Sequence, residues 1–185
     1  TLPSANGANA VAFGTASSAS NSNAIAAGFS SAAQGADSVA IGRGATSSNF
    51  SGATALGLSA SAYGTQAVAL GKSRASGTDS FAAAIANNTS SYGATGNNSV
   101  AVGYQAKATG VRSTAIGYVT TASGQSSIAT GWNTTASGLA STAMGYGTTA
   151  YGSHSTAMGD STTASGPNST AIGDSSTAGG TNSIA

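Results

Sequence analysis

Ser113-Thr114-Ala115-Ile116-Gly117 is the stretch on which the fold is decided. It returns as Ser127-Ile128-Ala129-Thr130-Gly131, Ser141-Thr142-Ala143-Met144-Gly145, Ser155-Thr156-Ala157-Met158-Gly159 and Ser169-Thr170-Ala171-Ile172-Gly173, each time fourteen residues further on. Self-similarity at a short fixed period is the mark of a repeat architecture, in which each unit buries its apolar face only by stacking on the next.

Outward from this stretch, the closing glycine marks one copy after another: Gly14, Gly28, Gly42, Gly57, Gly71, then Ala84 in its place, then Gly103, Gly117, Gly131, Gly145, Gly159 and Gly173. The C-terminal half is the regular half. The first half carries the length changes, at a Thr46–Gly52 turn and at a longer excursion through Ile85–Asn98, and insertions in a repeat fold belong in its loops. A second motif, Ala-x-Gly, sits about half a period away, as in Ala108-Thr109-Gly110, Ala122-Ser123-Gly124 and Ala136-Ser137-Gly138. Each period therefore reads as strand, turn, strand, turn. The density of Ser, Thr and Gly opposes helix, whereas Ser-Val-Ala-Ile-Gly alternates with the period of a strand.

Two short strands per fourteen residues, stacked coil on coil, predict an all-β parallel β-roll or solenoid. With strands about 4.8 Å apart, roughly twelve coils make a rod on the order of 60 Å long. Alternation places Val39 and Ile41 on one face of their strand, and Ser38, Ala40 and Gly42 on the other. In the second motif the central Ala, such as Ala108, is expected inside, with Lys107 and Thr109 outside. Bulky residues facing that Ala would fill a narrow interior, so the expected roll core is Val39, Ile41, Val100, Val102, Ile116, Met144, Met158 and Ile172. The flat opposite face, with Ala40, Ala101, Ala115, Ala143, Ala157 and Ala171, is then the expected subunit contact, and a thin roll gains stability from self-association.

Composition excludes several function classes. Only 5% of residues are charged and the net charge is +1, with Arg43, Lys72, Arg74, Lys107 and Arg112 forming no run, so the chain lacks the electrostatic footprint of a nucleic-acid or anionic-lipid binder. There is no Cys, no Glu and one histidine, His154, in the turn position where other coils carry Arg112, Ser126, Ala140 and Asn168. A triad needs a histidine oriented by a buried acid, so no catalytic residue, metal ligand set or cofactor site is expected. Asp160 and Asp174 share a column and read as two solvated carboxylates. The sequence contains no signal peptide, no membrane-spanning run and no heptads, and Ser183-Ile184-Ala185 stops inside another copy of the motif. Residues 1–185 are thus expected to be a single β-roll domain, a piece of a longer protein, with an irregular coil at about 85–98 and any membrane anchor outside it.

Asn98-Ser99-Val100-Ala101-Val102-Gly103, the related Asp37-Ser38-Val39-Ala40-Ile41-Gly42 and the Ala-x-Gly half-repeats resemble the YadA-like head repeats of trimeric autotransporter adhesins. The resemblance covers nearly the whole chain. It implies a left-handed parallel β-roll, a homotrimer, a position on the bacterial surface or outer membrane, and a head that binds host extracellular matrix, host cells or other bacteria.

What varies between copies is then the place to look for binding. The residue after the marker glycine reads Phe29, Arg43, Leu58, Lys72, Tyr104, Tyr118, Trp132, Tyr146, Asp160 and Asp174 in successive regular coils. Phe29, Tyr104, Tyr118, Trp132 and Tyr146 are candidates for a stacking ladder, a ligand contact, or both. The expected function is adhesion by multivalent contacts along a rigid rod. The alternatives are a spacer projecting another binding domain, autoagglutination and, more remotely, an ice-binding solenoid built on columns such as Thr120-Thr121 and Thr134-Thr135.

Overall fold

The computed structural model describes residues 1–84 and 91–185. Within them the chain is an all-β parallel solenoid without a helix, made of two sheets that run the length of the rod. One sheet has twelve strands of three to five residues, from Val11–Phe13 to Thr170–Asp174, and carries the Ser-x-Ala-x-Gly motif. The other has thirteen two-residue strands, from Ser4–Ala5 to Thr177–Ala178, and carries Ala-x-Gly. Every pairing is parallel and joins a strand to its copy one coil away, so identical positions fall into columns: Thr114↔Ile128, Ala115↔Ala129, Ile116↔Thr130, Gly117↔Gly131 and Tyr118↔Trp132. The coil count and the parallel architecture agree with the repeat reading.

The interior corrects that reading. Ala40, Ala101, Ala115, Ala143, Ala157 and Ala171 are completely buried inside the roll, so they are not a subunit contact. The aliphatic residues expected in the core lie on the outer side: Ile41, Ile116, Met144, Met158 and Ile172 are between 37% and 58% exposed, and Val39, Val100 and Val102 are half-buried. The alternation was right and its phase was inverted. The physical reason is the width of the roll. Ala108, Ala122, Ala136 and Ala150 from the short strands are also fully buried, so alanine meets alanine across the interior. A fully buried Ala on both walls of the coil makes the interior narrower than the space between ordinary stacked sheets, which are ~10 Å apart. In that narrower space a methyl group fills the gap and an Ile side chain does not fit.

Serines and threonines close the two ends of this alanine core. The serine that opens the motif is buried, and Ser38, Ser80 and Ser99 donate their hydroxyls to the Gly35, Gly77 and Gly96 carbonyls at 2.7, 2.7 and 2.6 Å. At the other end Thr120, Thr134, Thr148 and Thr162 are fully buried, while Thr121, Thr135, Thr149 and Thr163 lie on the outer face. In the early coils the first turn is closed by a backbone bond, such as Ser17 N–H to Gly14 O (3.1 Å) or Ala45 N–H to Gly42 O (3.2 Å). In the coils with a buried threonine the long strand instead continues through the marker glycine to Tyr118, Trp132, Tyr146 or Asp160.

Stacking also explains the glycines. A Cβ on Gly131 would overlap the Gly145 carbonyl, and its φ of +125° is closed to other residues. Ala84 tolerates a side chain in this column because its φ is +57°, a left-handed turn rather than the glycine-only region. The connection before it is also irregular, with Gly71-Lys72-Ser73 spanning the turn with one residue fewer than Gly42-Arg43-Gly44-Ala45. The Thr46–Gly52 region contains a strand at Thr46–Ser47 and its extra residue in the following turn. Of the excursion at 85–98, residues 85–90 lie outside the described residues. From Gly93–Ala94 the short-strand sheet runs in register with both neighbours, Ala75↔Ala94 and Ala94↔Ala108.

Both turns also hold non-glycine residues in the left-handed region, among them His154, Ala140 and Val119. For a β-branched residue this is the least comfortable site in the chain. Two stability outcomes are expected. Gly131→Ala should cost about 3 kcal/mol or more, because strain and backbone overlap add, whereas Gly147→Ala, whose Cβ would make only ordinary contact with Ser161 and whose φ is +60°, should cost about 1 kcal/mol. Val119→Asn, which copies Asn133 one coil on, should stabilise by about 1 kcal/mol by relieving the left-handed Val. Urea midpoints read all three; equal effects of the two glycine changes, or a loss on Val119→Asn, would contradict the stacking geometry.

Candidate functional site

A roll filled with methyl groups offers its chemistry on the outside, and the columns of side chains define three surfaces. The first is the outer face of the twelve-stranded sheet. Register brings Val11, Ile25, Val39, Val68, Phe81, Val100 and Ile128 into one row, with Thr54 among them and Thr114, Thr142, Thr156 and Thr170 in the C-terminal coils, and Phe13, Ile41, Leu56, Leu70, Val102, Ile116, Met144, Met158 and Ile172 into the next, with Ala27, Ala83 and Thr130 between them. Neither row contains a charged residue. Twelve strands at ~4.8 Å and three residues at ~3.3 Å make this band on the order of 550 Å², at the upper end of the ~300–600 Å² of the largest apolar patch on a typical monomer.

The second surface is the column after the marker glycine. Tyr118, Trp132 and Tyr146 are the last residues of their long strands and pair in register, which turns a sequence column into stacked rings. Trp132 and Tyr146 stack at 4.3 Å with planes 3° apart, Tyr118 and Trp132 at 6.0 Å and 4°, and Tyr104 and Tyr118 at 4.9 Å and 10°. Tyr104 sits in a closed turn rather than a strand, which accounts for its larger tilt. Each contact is worth about 0.5–1.5 kcal/mol, and the rings remain between 42% and 51% exposed. Phe29 is exposed but separate from this stack: its column continues with Arg43, Leu58 and Lys72. Beyond Tyr146 the column turns acidic, where Asp160 and Asp174 accept hydrogen bonds from Ser161 and Ser175 at 2.7 Å.

The third surface is the outer face of the short strands, a flat field of hydroxyls in which Thr121, Thr135, Thr149 and Thr163 form one row and Ser123, Ser137 and Ser165 border it. His154 is exposed in its left-handed turn, as the sequence reading had it. Among the described residues no group of His, Asp or Glu is placed to hold a metal ion. The second turn instead carries a side-chain ladder, in which Asn9 Nδ2 donates to Asn23 Oδ1 (3.2 Å) and Asn23 Nδ2 to Asp37 Oδ1 (2.8 Å).

Sequence reasoning found the aromatic column and missed the apolar band, because it placed those residues inside. The missed signal lay in the chain itself: the third motif position is Ala in every long strand from Ala12 to Ala171, while the second and fourth positions range over Val, Ile, Thr, Phe, Leu, Met and Ala. A position that admits one small residue is the cramped one.

No curated protein matches the chain. The YadA head domain repeat matches at residues 5–31, 19–45, 33–49, 51–73, 94–120, 108–134, 122–148, 136–162 and 164–185. These matches span both halves of the rod and follow its fourteen-residue coils, and the chain belongs to the YadA head family.

Proposed function

We propose that this chain is the head of a trimeric surface adhesin, in which three left-handed rolls pack their twelve-stranded sheets around a common axis. The observation that carries this reading is the uncharged apolar band. It runs the length of the rod in the row from Phe13 to Ile172 and in a closed three-fold ring meets two neighbours at once. The family membership points the same way, towards an adhesin passenger exposed on the bacterial surface or outer membrane.

With the apolar faces turned inward, the surfaces left for contact are the turn columns and the hydroxyl face. The stacked rings Tyr104, Tyr118, Trp132 and Tyr146 are the strongest contact candidates, since rigid aromatics lose little entropy on binding. Phe29 and the remaining part of the 85–98 excursion are further candidates. Three copies of each on one rod convert weak contacts with host matrix proteins or host cells into avidity.

Two outcomes test this reading. Light scattering should give three times the 17.2 kDa chain mass, and Ile116→Glu/Met144→Glu should give a monomer with unchanged far-ultraviolet circular dichroism; a dimer, or a trimer indifferent to both charges, would sink the three-fold packing. Collagen, fibronectin, laminin and whole host cells should include at least one saturable partner, with Trp132→Ala/Tyr146→Ala weakening it by about 2 kcal/mol or more. Silence across that panel favours a spacer.

A further inference from the structure

Asn-x-Ser/Thr, with x other than Pro, is the tripeptide in which an asparagine carboxamide takes an N-linked sugar. It occurs at Asn49, Asn87, Asn88, Asn97, Asn133 and Asn168. Asn87 and Asn88 lie outside the described residues. In a chain this rich in Asn, Ser and Thr the tripeptide alone decides nothing, but the fold separates the other copies. At Asn97, Asn133 and Asn168 the asparagine is exposed while the third residue is one of the hydroxyls that close the alanine core: Ser99, Thr134 and Ser169 are fully buried. Asn133 and Asn168 are also held in left-handed turns, at φ of +52° and +54°.

Asn49-Phe50-Ser51 is built differently. It lies in the turn with the extra residue, between the strands Thr46–Ser47 and Thr54–Leu56, and all three of its residues are exposed. The backbone is anchored on either side, where Ser48 N–H donates to the Ala62 carbonyl and Gly52 N–H to the Ala36 carbonyl, both at 2.9 Å. Between these anchors the N–H groups of Asn49, Phe50 and Ser51 donate no backbone hydrogen bond among the described residues. The Asn49 and Ser51 side chains are likewise untied there.

We propose that Asn49 is the acceptor for an N-linked sugar, added to the folded rod by a glycosyltransferase that reads Asn-x-Ser/Thr and uses a hexose activated as its nucleoside diphosphate. Asn49 Nδ2 attacks the anomeric carbon and the bond from that carbon to the diphosphate oxygen breaks. The nucleoside diphosphate leaves with the electron pair, and the proton lost from Nδ2 passes to a base of the transferase. An enzyme that requires Ser or Thr at the third position must reach that hydroxyl and the carboxamide together. Among the described residues only Asn49 and Ser51 present both without opening the roll. At the other sites the hydroxyl comes out only when a coil opens, which breaks its bonds to the coils on both sides. The sugar would sit on the second-turn edge, across the roll from the aromatic column and off the apolar band, so the inference does not depend on trimerisation.

The test treats the whole folded chain with a purified Asn-x-Ser/Thr N-glycosyltransferase and UDP-glucose, and maps hexose by mass spectrometry at Asn49, Asn97, Asn133 and Asn168. Synthetic peptides spanning the same tripeptides are treated in parallel, so that each site is compared with its own unfolded sequence. Asn49 should react in the folded chain within about threefold of its peptide, whereas the other three should lose at least about tenfold. Ser51→Ala should abolish addition at Asn49 and Ser51→Thr should retain it, both with the parent melting midpoint, since Ser51 is exposed. Absence of hexose at Asn49 in the folded chain, a loss there equal to that at Asn133 or Asn168, or undiminished addition in Ser51→Ala would overturn the proposal.

Discussion

Everything in this rod depends on the stacking of one coil on the next at the spacing of parallel strands. The backbone hydrogen bonds between coils join a residue to the neighbour of its copy one coil away, as in Val119 N–H to the Tyr104 carbonyl and Asn133 N–H to the Tyr118 carbonyl, both at 2.8 Å. A side chain is therefore placed directly above and below its own counterpart. Residue types that stack on themselves accumulate in columns: Ala inside, glycine at the two crossings, amides and aromatics at the turns. Because each coil meets only its neighbours, stability grows approximately as a sum over coils and interfaces.

The narrow interior follows from the same constraint and decides the rest. A two-residue strand opposite a three-residue strand leaves room for a methyl group from each side, so the roll has little apolar volume with which to offset chain entropy. The larger apolar groups are left on the outer face. A single roll thus carries a stability deficit and an uncovered surface at once, and the proposed association through that surface answers both. In the proposed adhesin the face turned towards the three-fold axis would decide which columns remain for a ligand.

The sequence made the period, the two strands per coil, the parallel architecture and the inward Ala of the short strands legible, since these depend on spacing and alternation alone. Alternation assigns Val39 and Ile41 to one face and Ala40 to the other but does not say which face is inside. An appeal to volume chose wrongly, because it assumed ordinary sheet separation. The constancy of Ala at the third position was the better guide. The aromatic column from Tyr104 to Tyr146 could be read directly, since those coils share one period; the stacking required the strand extension that accompanies the buried threonines.

The central claim is that the third motif position is sealed inside the roll and the fourth faces another copy of the chain. The protein contains no cysteine, so a single introduced thiol reports its own position. Mild oxidation of Met144→Cys and Ala143→Cys, read on a non-reducing gel, is the most direct measurement. The account predicts disulfide-linked dimers from Met144→Cys, where the proposed trimer brings three thiols to its axis, and unlinked chains from Ala143→Cys. Linked chains from Ala143→Cys with none from Met144→Cys would contradict it.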